Sequence, residues 1–243
     1  MKRGAAFAYG VVCYAVFFVT LLYAIGFLGN FAVPKSIDSG PEGSTAAALL
    51  IDGALLALFA LQHSIMARPR FKRMWTRFVP EPVERSTYVL FSSLALLLMF
   101  YAWRPIGGTV WHADGVLATV LVGFYAAGLG IVLASTFLIN HFDLFGLRQV
   151  YLYLLGHPYV HLKFGTPFFY RYVRHPLYFG WLLTFWASPV MTIAHLFFAI
   201  MTTAYILVAI QLEEADLVSI HGDKYQQYRE RVPMIVPAGS PRV

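Results

Sequence analysis

Arg174, His175, Pro176, Leu177, Tyr178, Phe179 and Gly180 stand in one row, and Glu213 and Glu214 stand side by side about 33 residues further on. The chain between them is apolar and reads as a membrane hairpin, which would return the two carboxylates to the face from which Arg174 and His175 leave. Basic and acidic side chains that meet on one side of a membrane make a site. A guanidinium, an imidazole and a phenol set against carboxylates can hold charged ligands and exchange protons.

The composition fixes the class. Hydrophobic residues are 59% of the 243 and charged residues 12%, against roughly 25% charged in a soluble protein, and the mean hydropathy is +0.64. This describes an integral membrane protein. A helix needs about 20 apolar residues to cross a ~30 Å hydrocarbon core, and such runs lie at about 5–29, 44–66, 86–103 and 115–139, with shorter ones at about 180–194 and 195–212. The predicted fold is therefore all-α, a polytopic membrane bundle of five to six transmembrane helices whose last two form a tight hairpin. We read 1–243 as a single domain, with 1–139 a four-helix membrane part and 140–243 the part that carries the site, the hairpin and a tail. The first run follows Lys2 and Arg3 and lacks a small-residue cleavage site with a polar start beyond it, so it reads as a retained helix rather than a signal peptide.

Basic residues set the orientation. Lys2, Arg3, Arg68, Arg70, Lys72, Arg73, Arg77, Arg85, Arg148, Lys163, Arg171, Arg174, Lys224, Arg229, Arg231 and Arg242 fall on one side, whereas only Lys35 and Arg104 fall on the other. Sixteen of eighteen cations on one face predict cytoplasmic termini. The net charge of +6 is then topology and contact with anionic membrane lipid, and no nucleic-acid partner is needed to explain it. The single Cys13 excludes an intrachain disulfide, a cysteine-rich metal site and an iron–sulfur cluster, so it reads as an apolar filler.

Residues 180–212 must rise and return in 33 positions, about 16 per arm or ~24 Å. The hairpin would stop short of the far surface, with Ser188 and Pro189 at its turn. Between 140 and 179 lies an aromatic-rich stretch with few strong helix formers, which includes Tyr151, Tyr153, Tyr159, Phe164, Tyr170 and Tyr172. Its simplest reading is an interfacial segment, because Tyr rings favour the headgroup level; its functional reading is a lid or wall over the site. Gly128 and Gly130 lie inside an apolar run, where they suit close helix packing. No glycine-rich loop follows a strand, so a soluble dinucleotide-type site is absent.

The row R-H-P-x-Y-x-G at the head of a hairpin, paired glutamates at its end, and a tail with Tyr225, Tyr228, Arg229, Val232, Pro233 and Pro237 together resemble the isoprenylcysteine carboxyl methyltransferase superfamily of membrane enzymes. Three further segments, Leu61 to Pro69, Glu84 to Tyr88 and Asn140 to Gln149, resemble a narrower branch, the bacterial methanethiol S-methyltransferase family. The resemblance implies a thiol S-methyltransferase of the bacterial inner membrane that uses S-adenosyl-L-methionine and a small volatile thiol, giving dimethyl sulfide and S-adenosylhomocysteine from methanethiol. It implies a cofactor site at the cytosolic ends of the last helices, closed by the tail and built from Arg174, His175, Pro176, Tyr178, Gly180, Glu213, Glu214 and Tyr225. No metal is implied.

These residue types suit such a cofactor, which carries a sulfonium, an ammonium, a carboxylate and a ribose diol. Adjacent helical residues point about 100° apart, so one of Glu213 and Glu214 can face the ligand while the other faces solvent or a basic residue. The bland reading is a solvated pair at a helix end. The nucleophile in S-methylation is a thiolate, and a free thiol is mostly protonated near pH 7, so a base is useful. His141, at the end of the fourth run, is the preferred candidate, with Asp143 placed to orient or charge-balance it. His63, beside Gln62 at the end of the second run, is a further catalytic candidate. For either histidine the alternative is an ordinary interfacial residue bonded to backbone. Competing readings are a prenyl-protein carboxyl methyltransferase, a membrane haem or transport protein using His63 and His141, and a purely structural membrane protein.

Overall fold

The structure is a computed structural model that describes residues 2–41 and 43–237; Arg242, counted above among the tail cations, lies outside the described residues. The chain is 72% helical. Ten α-helices run in order among the described residues: α1 (Arg3–Gly29), α2 (Thr45–Ala67), α3 (Pro69–Trp75), α4 (Glu81–Ala102), α5 (Gly115–Ile139), α6 (His141–Leu144), α7 (Leu147–Leu155), α8 (Pro176–Trp186), α9 (Ile193–His221) and α10 (Asp223–Arg231), with a 3-10 turn at Phe168–Arg171 between α7 and α8. Two short strands, β1 (Thr109–His112) and β2 (Val190–Thr192), pair with each other. Helices α1, α2, α4, α5 and α9 are long and apolar enough to cross a membrane, so the chain is an all-α polytopic membrane protein, as its composition predicts. Large apolar side chains stay exposed on the spans, among them Leu50 at 74% and Val116 at 82%, as lipid-facing positions must.

One compact unit comprises residues 1–108, 142–161 and 192–195. In it α1 and α2 each pack on α4, and α7 packs on α1 and α4. Ala6, Val83 and Val150 form a buried cluster with Phe7, Tyr9, Val79, Leu147 and Tyr153 around it. That cluster explains why residues 147–155 of the aromatic-rich segment are helical, contrary to its weak helix propensity: burial of Leu147 and Val150 outweighs propensity terms of a few tenths of a kcal/mol per residue. The second unit comprises residues 109–141, 162–191 and 196–243. Its frame is the packing of α5 along α8.

That packing depends on two glycines. A Cβ on Gly128 would meet Thr184 Oγ1 at 2.5 Å and the carbonyl oxygen of Gly180 at 2.7 Å, and a Cβ on Gly180 would meet the carbonyl oxygen of Gly128 at 2.7 Å and Val132 Cγ2 at 2.9 Å. Two backbones in contact leave no room for a side chain. Gly130 has nothing within 4 Å of the same probe position, so only Gly128 of the pair makes the predicted close contact.

The predicted hairpin is present but unequal. Its first arm, α8, has 11 residues and its second, α9, has 29, or ~16 Å against ~43 Å. Pro176 starts α8 at its first position, and the helix stops at Trp186, before Ala187, Ser188 and Pro189, since Pro disfavours helix at the residue before it. The chain next runs as β2, with Trp111 Nε1 donating to Ser188 O at 3.0 Å and Ala113 N to Pro189 O at 2.9 Å. Helix α9 then continues for two turns beyond Glu213 and Glu214 to His221, because Glu, Ala and Leu are good helix formers and both carboxylates find partners.

Candidate functional site

The site lies within the second unit, where the start of α8, the inner part of α9 and α10 with the following tail converge. His175 precedes α8, and it and its neighbour Arg174 pair with the tail: Arg174 N donates to Pro233 O at 2.9 Å and His175 N to Met234 O at 3.1 Å. The Arg174 guanidinium continues the same clasp. Its Nη1 donates to Arg229 O at 2.6 Å and Val232 O at 2.8 Å, while Nε donates to Glu214 Oε1 at 2.7 Å. Carbonyls at the end of α10 are thus satisfied by a cation, which also suits the negative end of a helix.

Glu214 is 4% exposed. His175 Nε2 donates to Glu214 Oε1 at 3.0 Å, and Arg229 Nη1 stands 4.0 Å from Oε2. This carboxylate is fully engaged and joins α9 to the start of α8. Glu213 differs. Its side chain is 42% exposed, it accepts a hydrogen bond from Tyr178 Oη at 3.0 Å, and His175 Nδ1 lies 3.9 Å away. The two neighbours therefore split as helix geometry requires, the buried one meeting bases and the half-exposed one facing outward, and the reading of a solvated pair at a helix end fails.

An aromatic wall stands beside them. Tyr225, 2% exposed, packs edge-on against Phe164 at 5.8 Å between centroids, and Tyr228 packs on both. Tyr228 Oη donates to Tyr170 O at 2.6 Å. The buried Tyr225 hydroxyl has no hydrogen-bond partner among the described residues, and such orphaned buried groups are rare enough to need a reason. Burial first, and for Tyr225 the Glu214 carboxylate next, pushes the phenols of Tyr170, Tyr225 and Tyr228 above their ordinary range; they stay protonated donors at any ordinary pH.

His141 stands at the same end of this unit. Gly128 lies against Gly180 and Thr184, and Val132 against Gly180, so α5 and α8 run antiparallel and Thr136, one turn beyond Val132, comes level with Pro176. His141 follows directly. It is 6% exposed, its Nδ1 is 2.9 Å from Thr136 Oγ1, and its ring stacks on Phe137 at 4.4 Å and 8°. Burial lowers its pKa from the ordinary value.

Asp143 and His63 belong to the first unit. Asp143 takes Arg148 Nη1 at 2.8 Å and Tyr159 Oη at 3.3 Å, and Arg148 Nη1 also donates to Val160 O at 3.1 Å, tying residues 159–160 to the start of α7 within the first unit. His63, also in the first unit, meets Tyr88 Oη at 2.9 Å and Ser92 Oγ at 3.1 Å and stacks on Phe59. Pro176 and Gly180 shape the start and packing of α8. Sequence reasoning did not single out Thr136 or the carbonyls of Arg229 and Val232, and it named Phe164 only within the aromatic stretch. The signal for Phe164 was its place in the aromatic run, whereas backbone acceptors leave none.

A polytopic helical membrane protein with a clasped acid–base site at the head of a short helix is the class that fold and site define. No family model and no solved structure matches the chain. A methanethiol S-methyltransferase of Crocosphaera subtropica is 60% identical over 98% of this chain and 93% of that protein, and a methanethiol S-methyltransferase of Mycobacterium tuberculosis is 48% identical over 98% of each. Nurim of Pan troglodytes is 32% identical over 72% of this chain and 70% of that protein. The chain belongs to the methanethiol S-methyltransferase family.

Proposed function

We propose that this chain methylates methanethiol to dimethyl sulfide, with S-adenosyl-L-methionine as methyl donor, at the cytoplasmic face of a bacterial inner membrane. Family membership supports the reaction, and the sixteen cations on one face support the orientation. The observation that carries the site assignment is the pairing of a half-exposed Glu213, held by Tyr178, with the orphaned hydroxyl of Tyr225. Those groups fit the donor: Glu213 suits its ammonium or ribose hydroxyls, the half-exposed Arg229 its carboxylate, Tyr225 an acceptor atom, and the faces of Phe164, Tyr178 and Tyr228 its positive sulfur. When bound, the cofactor supplies a methyl group carried on a cationic sulfur.

The remaining work falls to the protein. Arg174, His175 and Glu214 hold the tail against α8 and α9 and so exclude water from the site. His141, kept neutral by burial, accepts the thiol proton as the sulfur becomes the nucleophile, a role worth roughly 10²- to 10⁴-fold in rate.

Incubating the purified protein with S-adenosyl-L-methionine and methanethiol, then assaying the headspace for dimethyl sulfide, tests the reaction. Dimethyl sulfide should appear in proportion to enzyme. Protein that binds the donor and releases none would overturn the assigned acceptor.

A further inference from the structure

We infer that Thr136 is a positioning residue that sets the tautomer of His141, placing the proton on Nδ1 and the lone pair on Nε2. The inference rests on the reading of His141 as proton acceptor. Thr136 Oγ1 lies 2.7 Å from Leu133 O, and a carbonyl has no hydrogen to give, so the one hydroxyl hydrogen is spent on that bond. Oγ1 also lies 2.9 Å from His141 Nδ1. With its hydrogen committed, the oxygen can only accept, and Nδ1 must donate. A neutral imidazole that carries its proton on Nδ1 exposes a basic pair on Nε2.

The surroundings enforce the choice. Thr136 is 4% exposed and His141 6%, so bulk water does not compete for Nδ1. The Phe137 ring, parallel to the imidazole within 8°, fixes the plane in which Nε2 points. Thr136 and Phe137 are consecutive on α5, and α5 is anchored to α8 through Gly128 and Gly180, so the direction of the lone pair is set by the same helix contact that places the start of α8. A base must be presented in one protonation geometry to be effective, and here a backbone-anchored hydroxyl does what an acidic side chain does in other sites.

The test uses the full-length protein in lipid nanodiscs with its histidines labelled with ¹⁵N. The His141 signals are identified by their loss in His141→Gln. At neutral pH the parent should show a protonated Nδ1 and an unprotonated Nε2. Thr136→Val keeps the shape and removes the acceptor; it should release the ring to the Nε2–H form and lower kcat by about threefold to tenfold, the range that one neutral hydrogen bond commands, with the KM for both substrates unchanged. Thr136→Ser should restore tautomer and kcat together. A parent that shows Nε2–H overturns the inference even where Thr136→Val does not fold, and a tautomer shift without loss of kcat overturns it as well. Full turnover by His141→Gln fails the proton-acceptor reading itself, which is a different result from an unchanged tautomer in Thr136→Val.

Discussion

Glu213 and Glu214 are chemically identical neighbours, and the structure predicts opposite consequences for their loss. Glu214→Ala removes the carboxylate that takes Arg174 Nε at 2.7 Å and His175 Nε2 at 3.0 Å, in a pocket where the Glu214 side chain is 6% and the Arg174 side chain 10% exposed. Stripping one partner from a buried pair leaves an uncompensated charge and costs about 3–5 kcal/mol. At roughly 2–4 °C per kcal/mol for a chain of this size, the unfolding midpoint should fall by about 10 °C, and the tail, held by the same guanidinium, should become protease-sensitive. Glu213→Ala deletes a half-exposed carboxylate with one phenolic donor, at a cost of at most ~1 kcal/mol to stability, but should weaken S-adenosyl-L-methionine binding by roughly tenfold or more, since a charged contact is worth ~1.5–3 kcal/mol. Thermal unfolding in detergent, limited proteolysis and calorimetric titration with the cofactor separate the two. Glu214→Ala with a parental midpoint, or Glu213→Ala with parental cofactor affinity, would refute the division of labour.

Further outcomes follow from other parts of the molecule. Gly180→Ala drives a methyl into the Gly128 carbonyl and should cost ~1–3 kcal/mol as overpacking, whereas Gly130→Ala should leave the unfolding midpoint unchanged or raise it; equal effects at both would show that the α5–α8 contact is not as described. The depressed pKa of His141 should keep the acidic limb of the kcat profile below the ordinary histidine pKa of ~6.5. The same group takes up its proton in the unfolded chain before it does so in the folded one, so its contribution to stability is intact above ~6.5 and falls as pH drops below that value; a profile unchanged in His141→Ala would remove the assignment. In a Cys13→Ser background, single cysteines in the 106–114 link should react with an impermeant reagent in intact cells and those in the 68–85 link should not, and the reverse would invert the orientation.

The spans were legible because each is a long apolar run, and length alone distinguishes them. The hairpin was misjudged for the same reason. From Trp181 to Leu212 the sequence is mostly apolar and carries no Asp, Glu, Lys or Arg, so little but Ser188 and Pro189 marks where α8 stops, and equal arms were the natural division; the pairing of β1 with β2 at the turn is a tertiary contact that neither segment announces. Gly128 and Gly130 look alike on the page, yet they lie about 200° apart on a helix, and only the face turned to α8 makes use of a missing side chain. Thr136 could not be recognised either. A hydroxyl in an apolar helix usually bonds the preceding turn, as Thr184 does with Gly180 O at 2.9 Å and Ser93 with Val89 O at 2.9 Å, and Thr136 does this as well; what sets it apart is a second partner that arrives only because the chain turns at Asn140.

The paired glutamates show how one helix can serve two tasks with adjacent residues. With side chains about 100° apart, a single turn of α9 presents Glu214 inward to Arg174 and His175 and Glu213 outward to Tyr178. Arg174 then relays the position of Glu214 to the tail through the carbonyls of Arg229 and Val232, and the tail returns through Pro233 and Met234 to the backbone of Arg174 and His175. The loop is closed on itself: α9 positions the start of α8, the start of α8 holds the tail, and the tail completes hydrogen bonds at the start of α8. A charge that is spent in this way is unavailable to a ligand, so in the proposed site the cofactor's own charges fall to Glu213 and Arg229 at the rim, with the buried pair setting the shape of that site and the rim pair its affinity.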